Sequence, residues 1–167
     1  HLIFIVKIKN NMTVCILGNN LTALTLAKAL INCEIDVDVL SNKKNYKISD
    51  TRTIGITKNN IDFFNNNIIN IEKLTWKLKR IEIFSENFYK EKLINFEANK
   101  DQLFSIIRNY KLLRLLEKDL SKNKYFKSII INERNLSFLN EYELIINCDT
   151  SNIISKRFFS KKIIKKI

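Results

Sequence analysis

The stretch from Thr13 to Leu40 constrains this chain more than any other, because it allows very few folds. Thr13-Val14-Cys15-Ile16-Leu17 is almost continuously apolar, the pattern of a strand buried on both faces of a parallel sheet. Gly18-Asn19-Asn20 breaks the run with a tight turn. From Leu21 to Ile31 the apolar residues Leu21, Leu24, Ala27 and Leu30 recur at helical spacing, one stripe to lay against a sheet. Asp36-Val37-Asp38-Val39-Leu40 then alternates with period two, a second strand whose Asp36 and Asp38 mark the solvated face. A strand–helix–strand unit of about 30 residues has the size of a right-handed parallel crossover, so the opening predicts a Rossmann-like α/β domain.

Farther on, Thr53–Thr57 reads as a strand and Asn59–Ile68 as a short helix. Leu78–Ser85 and Lys92–Glu97 read as strands able to pair in a separate sheet. A long helix is expected over Lys100–Leu120, where Leu103, Ile106, Ile107, Tyr110, Leu113, Leu116 and Leu120 share one apolar face. Strands over Phe126–Ile131, Leu136–Leu139 and Tyr142–Cys148 complete the pattern. The expected organisation is one α/β domain over residues 12–157, with a strand-rich insertion at about 70–98 that forms part of a second sheet. Residues 1–11 read as a leader or an upstream translation product, and 158–167 as a basic tail at a point of truncation.

Composition narrows the function classes. The net charge of +12 invites a nucleic-acid reading, but Lys, Asn and Ile are over-used throughout while Gly (2) and Pro (0) are scarce. Such a bias spreads Lys over every solvated face without making a binding stripe, so no dedicated nucleic-acid function is expected. No apolar run reaches the ~18 residues of a membrane-spanning helix. Cys15, Cys33 and Cys148 have neither metal-type spacing nor an even count for disulfides, and Cys15 and Cys148 fall in expected buried strands. A reducing, cytoplasmic setting follows. The single histidine, His1, leaves little material for histidine chemistry.

The turn at Gly18 carries the first chemistry. In a dinucleotide-binding turn, the first glycine permits the tight bend and the second lets backbone approach a pyrophosphate. The third position, Gly or Ala, packs helix on strand, and the helix start supplies free N–H groups. Gly18 and Ala23 hold the first and third positions; Asn20 replaces the middle glycine, with a side chain that takes space near the phosphates. Gly18, Asn19, Asn20, Leu21, Thr22 and Ala23 are the candidate phosphate-binding residues. At the end of the second strand, where an acidic residue usually holds the ribose hydroxyls, stands Ser41. Serine makes one hydrogen bond and no charged two-point contact.

The segment Asp50-Thr51-Arg52-Thr53-Ile54-Gly55-Ile56 resembles the Asp-x-Arg-Ser/Thr segment of the FAD-dependent aromatic hydroxylases of ubiquinone biosynthesis. Phe96-Glu97-Ala98-Asn99-Lys100-Asp101-Gln102 is similar to that family's strand, polar turn and helix start. Tyr142 to Ser151 is similar to its strand ending in Gly-Ala-Asp-Gly, with Asn147 and Thr150 in place of the glycines and Ser155 and Arg157 in place of a later Ser and Arg. The order of these segments agrees with the family from residue 13 to about 157.

The resemblance implies that Arg52 contacts FAD while Asp50 positions its loop. It also implies that Asn99 caps a helix whose Gln102 bonds the cofactor, and that Asp149 supports the cofactor from the strand end. The implied reaction is hydroxylation of an aromatic ring in a quinone precursor, with NAD(P)H as transient reductant and FAD supplying the redox chemistry, so no catalytic side chain and no metal site is named. A hydrophobic substrate of this kind implies peripheral contact with a membrane. The alternatives are a diverged flavoprotein remnant that keeps the fold without activity, and a nicotinamide-binding Rossmann oxidoreductase.

Overall fold

The computed structural model describes residues 12–41, 50–86, 92–97, 104–131 and 137–149. These residues fall in two compact units, His1–Tyr46 with Leu116–Ile167, and Lys47–Leu115.

The first unit is built on a four-stranded, all-parallel sheet. Its strands are β1 (Thr13–Leu17), β2 (Asp36–Ser41), β8 (Phe126–Ile130) and β9 (Leu144–Asn147), in the order β8-β2-β1-β9. β1 is central, paired with β2 from Thr13↔Asp36 to Leu17↔Leu40 and with β9 from Val14↔Leu144 to Leu17↔Asn147. Val14, Cys15, Ile16 and Leu17 are all buried, which explains the unbroken apolar run: a strand with neighbours on both sides and cover on both faces has no solvated position.

The two faces are covered differently. Helix α1 (Leu21–Asn32) packs against β1 and β2 and buries Ala23, Leu24, Ala27 and Ile31, a stripe rotated from the one expected, since Leu21 and Leu30 are half-buried. Lys28 of α1 pairs with Asp119 at 2.6 Å. On the other face Cys15, Leu17 and Leu40 cluster with Ile131 and Leu139, with Ile129, Tyr142 and Ile145 packed alongside.

α1 ends in a Schellman arrangement. Glu34 donates its N–H to Ile31 O and Ile35 donates to Leu30 O, with Glu34 at φ 60° in the left-handed region that glycine usually fills. A chain so poor in glycine uses a glutamate there.

The second unit holds β3 (Thr53–Ile56), α2 (Lys58–Asn67), a 3-10 turn (Glu72–Leu74), β4 (Trp76–Leu78), β5 (Arg80–Phe84), β6 (Lys92–Glu97) and β7 (Phe104–Arg108). β3-β7-β4 is an antiparallel sheet, and β5-β6 is a separate antiparallel ribbon. Thr57 caps α2, its hydroxyl accepting from Asn60 N at 3.3 Å. The boundary between the units falls inside α3 (Asn109–Leu120).

Several sequence expectations are corrected here. The helix expected over Lys100–Leu120 is in its described part a strand, β7, followed by α3. Ile106 and Ile107 fit a helical stripe and a strand alike, and the antiparallel partners on both sides of β7 decided for strand, while Tyr110 falls in α3 as expected of a helix. α3 buries Leu112, Leu113, Leu116 and Leu120. The strand expected over Leu78–Ser85 is split into β4 and β5, which belong to different sheets. The strand expected over Leu136–Leu139 is, in its described part, a 3-10 turn, Ser137–Glu141, that lowers Leu139 onto the parallel sheet. The leader at 1–11 and the tail at 158–167 lie outside the described residues.

Candidate functional site

The site is built where β1 and β9 end side by side. β1 delivers the chain to Gly18, whose N–H donates to Leu40 O at 2.8 Å, fixing the turn to β2. Gly18 has φ +117°, a conformation that L side chains rarely adopt, and a Cβ there would lie 2.9 Å from the Cβ of Asp149. Two separate demands therefore fall on one residue: left-handed backbone, and room for the chain leaving β9. Gly18 and Asp149, 131 positions apart in sequence numbering, are in contact for this reason.

Asn20 does not behave as a glycine substitute. Its backbone is extended (φ −107°, ψ 177°), open to any residue, and it is the N-cap of α1. Its Oδ1 accepts from Ala23 N at 3.0 Å, and its Nδ2 donates to Cys148 O at 2.6 Å. Cys148 in turn donates its N–H to Leu17 O at 2.8 Å, prolonging the β1–β9 ladder beyond β9. Cys148 is half-buried just past that strand, a correction to its expected place inside it. Asp149 N donates to Asn147 Oδ1 at 3.2 Å, an Asx-type turn that bends the chain toward Gly18.

α1 starts at Leu21. Thr22 is exposed, while Ala23 is fully buried, the small third residue that lets helix approach strand. The first turn contains no acidic residue, and the N–H groups of Leu21 and Thr22 precede any intrahelical acceptor. An anion is favoured at this end by the helix dipole.

Ser41 closes β2. It is 6% exposed and its carbonyl accepts from Ile131 N at 3.0 Å, so the position of the usual ribose carboxylate is part of the sheet wall. Asp38 corrects the expectation of a solvated face: it is half-buried and its Oδ2 accepts from the Tyr142 hydroxyl at 2.7 Å. Burial first, and then the bond to Asp38, push the Tyr142 phenol well above its usual range. Burial, with the Asp38 charge second, pushes the Cys15 thiol up to about 12. Both groups stay neutral near pH 7, which suits a packed sheet face and not acid–base work.

Arg52 belongs to the second unit. It is exposed immediately before β3, and its carbonyl accepts from Asn109 N at 3.0 Å, tying the segment to the start of α3. Asp50 is exposed as well. Gln102, Asn99, Thr150, Ser155 and Arg157 lie outside the described residues. The helix start expected just before Gln102 lies outside the described residues; the described helix α3 starts at Asn109, after β7. Gly18 to Ala23, Ser41 and Asp149 are thus held in one unit, and Arg52 in the other. Sequence reasoning missed the carbonyls of Leu40 and Cys148, because a backbone acceptor leaves no mark in the residue type.

Among the described residues no group of His, Cys, Asp or Glu could hold a metal ion, and no helix is long and apolar enough to cross a membrane.

The parallel crossover and the glycine turn at its strand ends define a Rossmann-like α/β domain. No family model matches the chain, and no curated protein matches it in sequence. Solved structures share the fold. The chain is similar to p-nitrophenol 4-monooxygenase PnpA from Pseudomonas putida DLL-E4, with TM-score 0.58 and 13% identity over 72% of this chain and 32% of that one. It is similar to Klebsiella pneumoniae HpxO complexed with FAD and uric acid, with TM-score 0.56 and 17% identity over 72% of this chain and 31% of that one. It is also similar to pqsL, a probable FAD-dependent monooxygenase from Pseudomonas aeruginosa, with TM-score 0.62 and 12% identity over 89% of this chain and 45% of that one. At these identities the likeness is one of fold, and the chain spans less than half the length of each.

Proposed function

We propose that the chain carries the adenine-dinucleotide part of an FAD site in an FAD-dependent monooxygenase acting on an aromatic substrate. The observation that supports this best is the closed turn at Gly18, packed against Asp149 with the uncapped N–H groups of Leu21 and Thr22 beside it. The turn suits a diphosphate: it offers helix N–H donors and no carboxylate in the first turn of α1. It departs at Ser41, which cannot make the charged two-point contact that an acidic residue there gives the ribose. HpxO is solved with FAD and pqsL is described as a probable FAD-dependent monooxygenase, in agreement with this reading.

Bound FAD would supply the redox chemistry, with NAD(P)H as its reductant. The chain's own residues would bind and orient it: Leu21 and Thr22 through backbone N–H, Arg52 through its guanidinium, Asp149 from the end of β9. The finer reading, hydroxylation of a ubiquinone precursor near a membrane surface, rests on the Asp50-Thr51-Arg52 segment.

The test is the absorbance spectrum of the purified protein, its flavin extracted and identified, followed by FAD titration of the wild type and Arg52→Ala. A flavin spectrum with at least tenfold weaker binding in the variant is expected, about what loss of one charge-assisted contact costs. Absence of flavin binding with FAD in excess overturns the reading.

A further inference from the structure

The middle position of the turn is the place where this chain departs from a glycine pattern and where the structure shows what the replacement does. Asn20 is in extended backbone, so it is not there to supply a left-handed conformation. What it adds over glycine is a carboxamide, and both ends of that carboxamide are engaged inside the protein. Oδ1 holds the N–H of Ala23, the third residue of α1, at 3.0 Å, and Nδ2 holds the carbonyl of Cys148 at 2.6 Å. The N–H of Ala23 is one of the few donors a helix start offers to an anion. With that donor taken, Leu21 and Thr22 are left to receive a phosphate.

We infer that Asn20 is a self-cap that competes with a dinucleotide pyrophosphate for the start of α1, so that affinity is set by an exchange of partners at Ala23. The inference rests on the reading of the turn as a dinucleotide site. In the ligand-free protein the carboxamide satisfies Ala23 and staples α1 to the end of β9. When a diphosphate arrives, its charged oxygen makes the stronger bond to Ala23 N–H. Asn20 then swings aside, and the Cys148 carbonyl gives up its partner. Each exchanged bond subtracts from binding, whereas a glycine would subtract nothing. Asn20 therefore stabilises the empty fold and weakens the loaded one.

The experiment is calorimetric titration of ADP and of FAD into the wild type, Asn20→Gly and Asn20→Ser, with the melting temperature of each ligand-free protein. Glycine removes both bonds; serine keeps an oxygen able to cap Ala23 and loses the donor to Cys148. Asn20→Gly is expected to bind ADP and FAD about tenfold tighter, the order of gain when the two intramolecular hydrogen bonds no longer have to be displaced, and to melt lower when empty. Asn20→Ser, which still has the Ala23 cap to displace, is expected to gain less than Asn20→Gly.

Unchanged or weaker binding by Asn20→Gly overturns the proposal, as does an equal gain in Asn20→Ser, which would place the competition at Cys148. Should Asn20→Gly not fold, the wild type decides: on adding ADP, the 15N resonances of the Asn20 side-chain amide and the Ala23 backbone amide must both shift. If both stay fixed while ADP binds, the exchange is refuted. Absence of ADP and FAD binding in every protein defeats the reading of the site itself and this inference with it, an outcome distinct from binding without a gain.

Discussion

β1 and β6 both carry apolar side chains, four of five residues in β1 and three of six in β6, in opposite circumstances. β1 has parallel partners on both edges and cover on both faces, and Val14 to Leu17 are all buried. β6 has one partner, β5, and every one of its residues is exposed. The β5–β6 ribbon sorts its side chains nonetheless. Ile81 faces Phe96 and Ile83 faces Ile94 in one apolar row, while Glu82 pairs with Arg80 and Lys92. An apolar residue in a strand is therefore not buried by its type alone; the neighbours of its strand have to cover it. A two-stranded ribbon is marginal by itself. The candidate nucleotide turn sits on the strand that packing holds most firmly, and a site that needs fixed backbone donors gains from that placement.

The comparison can be broken most sharply at Gly18. Gly18→Ala introduces both a strained φ and a Cβ 2.9 Å from that of Asp149. Strain and overpacking each cost roughly 1–3 kcal/mol, so a loss of about 4 kcal/mol is expected, seen as a fall of roughly 10 °C in melting temperature. A fall of a degree or two would show that the turn yields easily and that the ends of β1 and β9 are less rigid than the geometry says.

Next in size is Leu116→Ala. Leu116 is fully buried in the parallel-sheet unit, and truncation there is expected to cost about 3 kcal/mol by denaturant unfolding. Smaller again is Tyr142→Phe, which leaves Asp38 without its 2.7 Å donor and is expected to cost about 1 kcal/mol near neutral pH. The sign with pH is fixed by the raised phenol pKa. Tyrosine's advantage over phenylalanine is full below the ordinary tyrosine range near pH 10 and fades as pH rises above it, since the unfolded chain ionises first. Denaturant midpoints of the two proteins at neutral and strongly alkaline pH check this; a gap that widens with pH contradicts it.

What the sequence discloses follows the same division. β1, α1 and β2 are legible because local pattern and tertiary setting agree there: a two-sided strand looks continuously apolar, and a glycine stands where only glycine fits. β7 was hidden because Ile106 and Ile107 also fit the helical stripe that α3 continues at Tyr110 and Leu113, and only the pairing with β3 and β4 chooses between strand and helix for them. The strand expected over Leu136–Leu139 misled for a related reason, as Leu139 belongs to a 3-10 turn and packs on the parallel sheet. In the site, Gly18 and Ala23 could be read from residue type. The role of Asn20 could not, because its partner is a backbone carbonyl 128 positions away.

The smallest effect is expected at Leu93, and it tests the other half of the comparison. Leu93 is 59% exposed and sits at the irregular step of the β5–β6 pairing, where Lys92 lies opposite Phe84 and Ile94 opposite Ile83. An exposed side chain has little transfer energy to lose, so Leu93→Ser should change stability by less than about 0.5 kcal/mol. Equal denaturant midpoints at low protein concentration would confirm that the ribbon contributes little to the fold. A loss as large as that of Leu116→Ala would mean that Leu93 and the ribbon around it are covered in solution. In that case β6 owes its composition to a packed interface, and the contrast with β1 would be one of partner and not of burial.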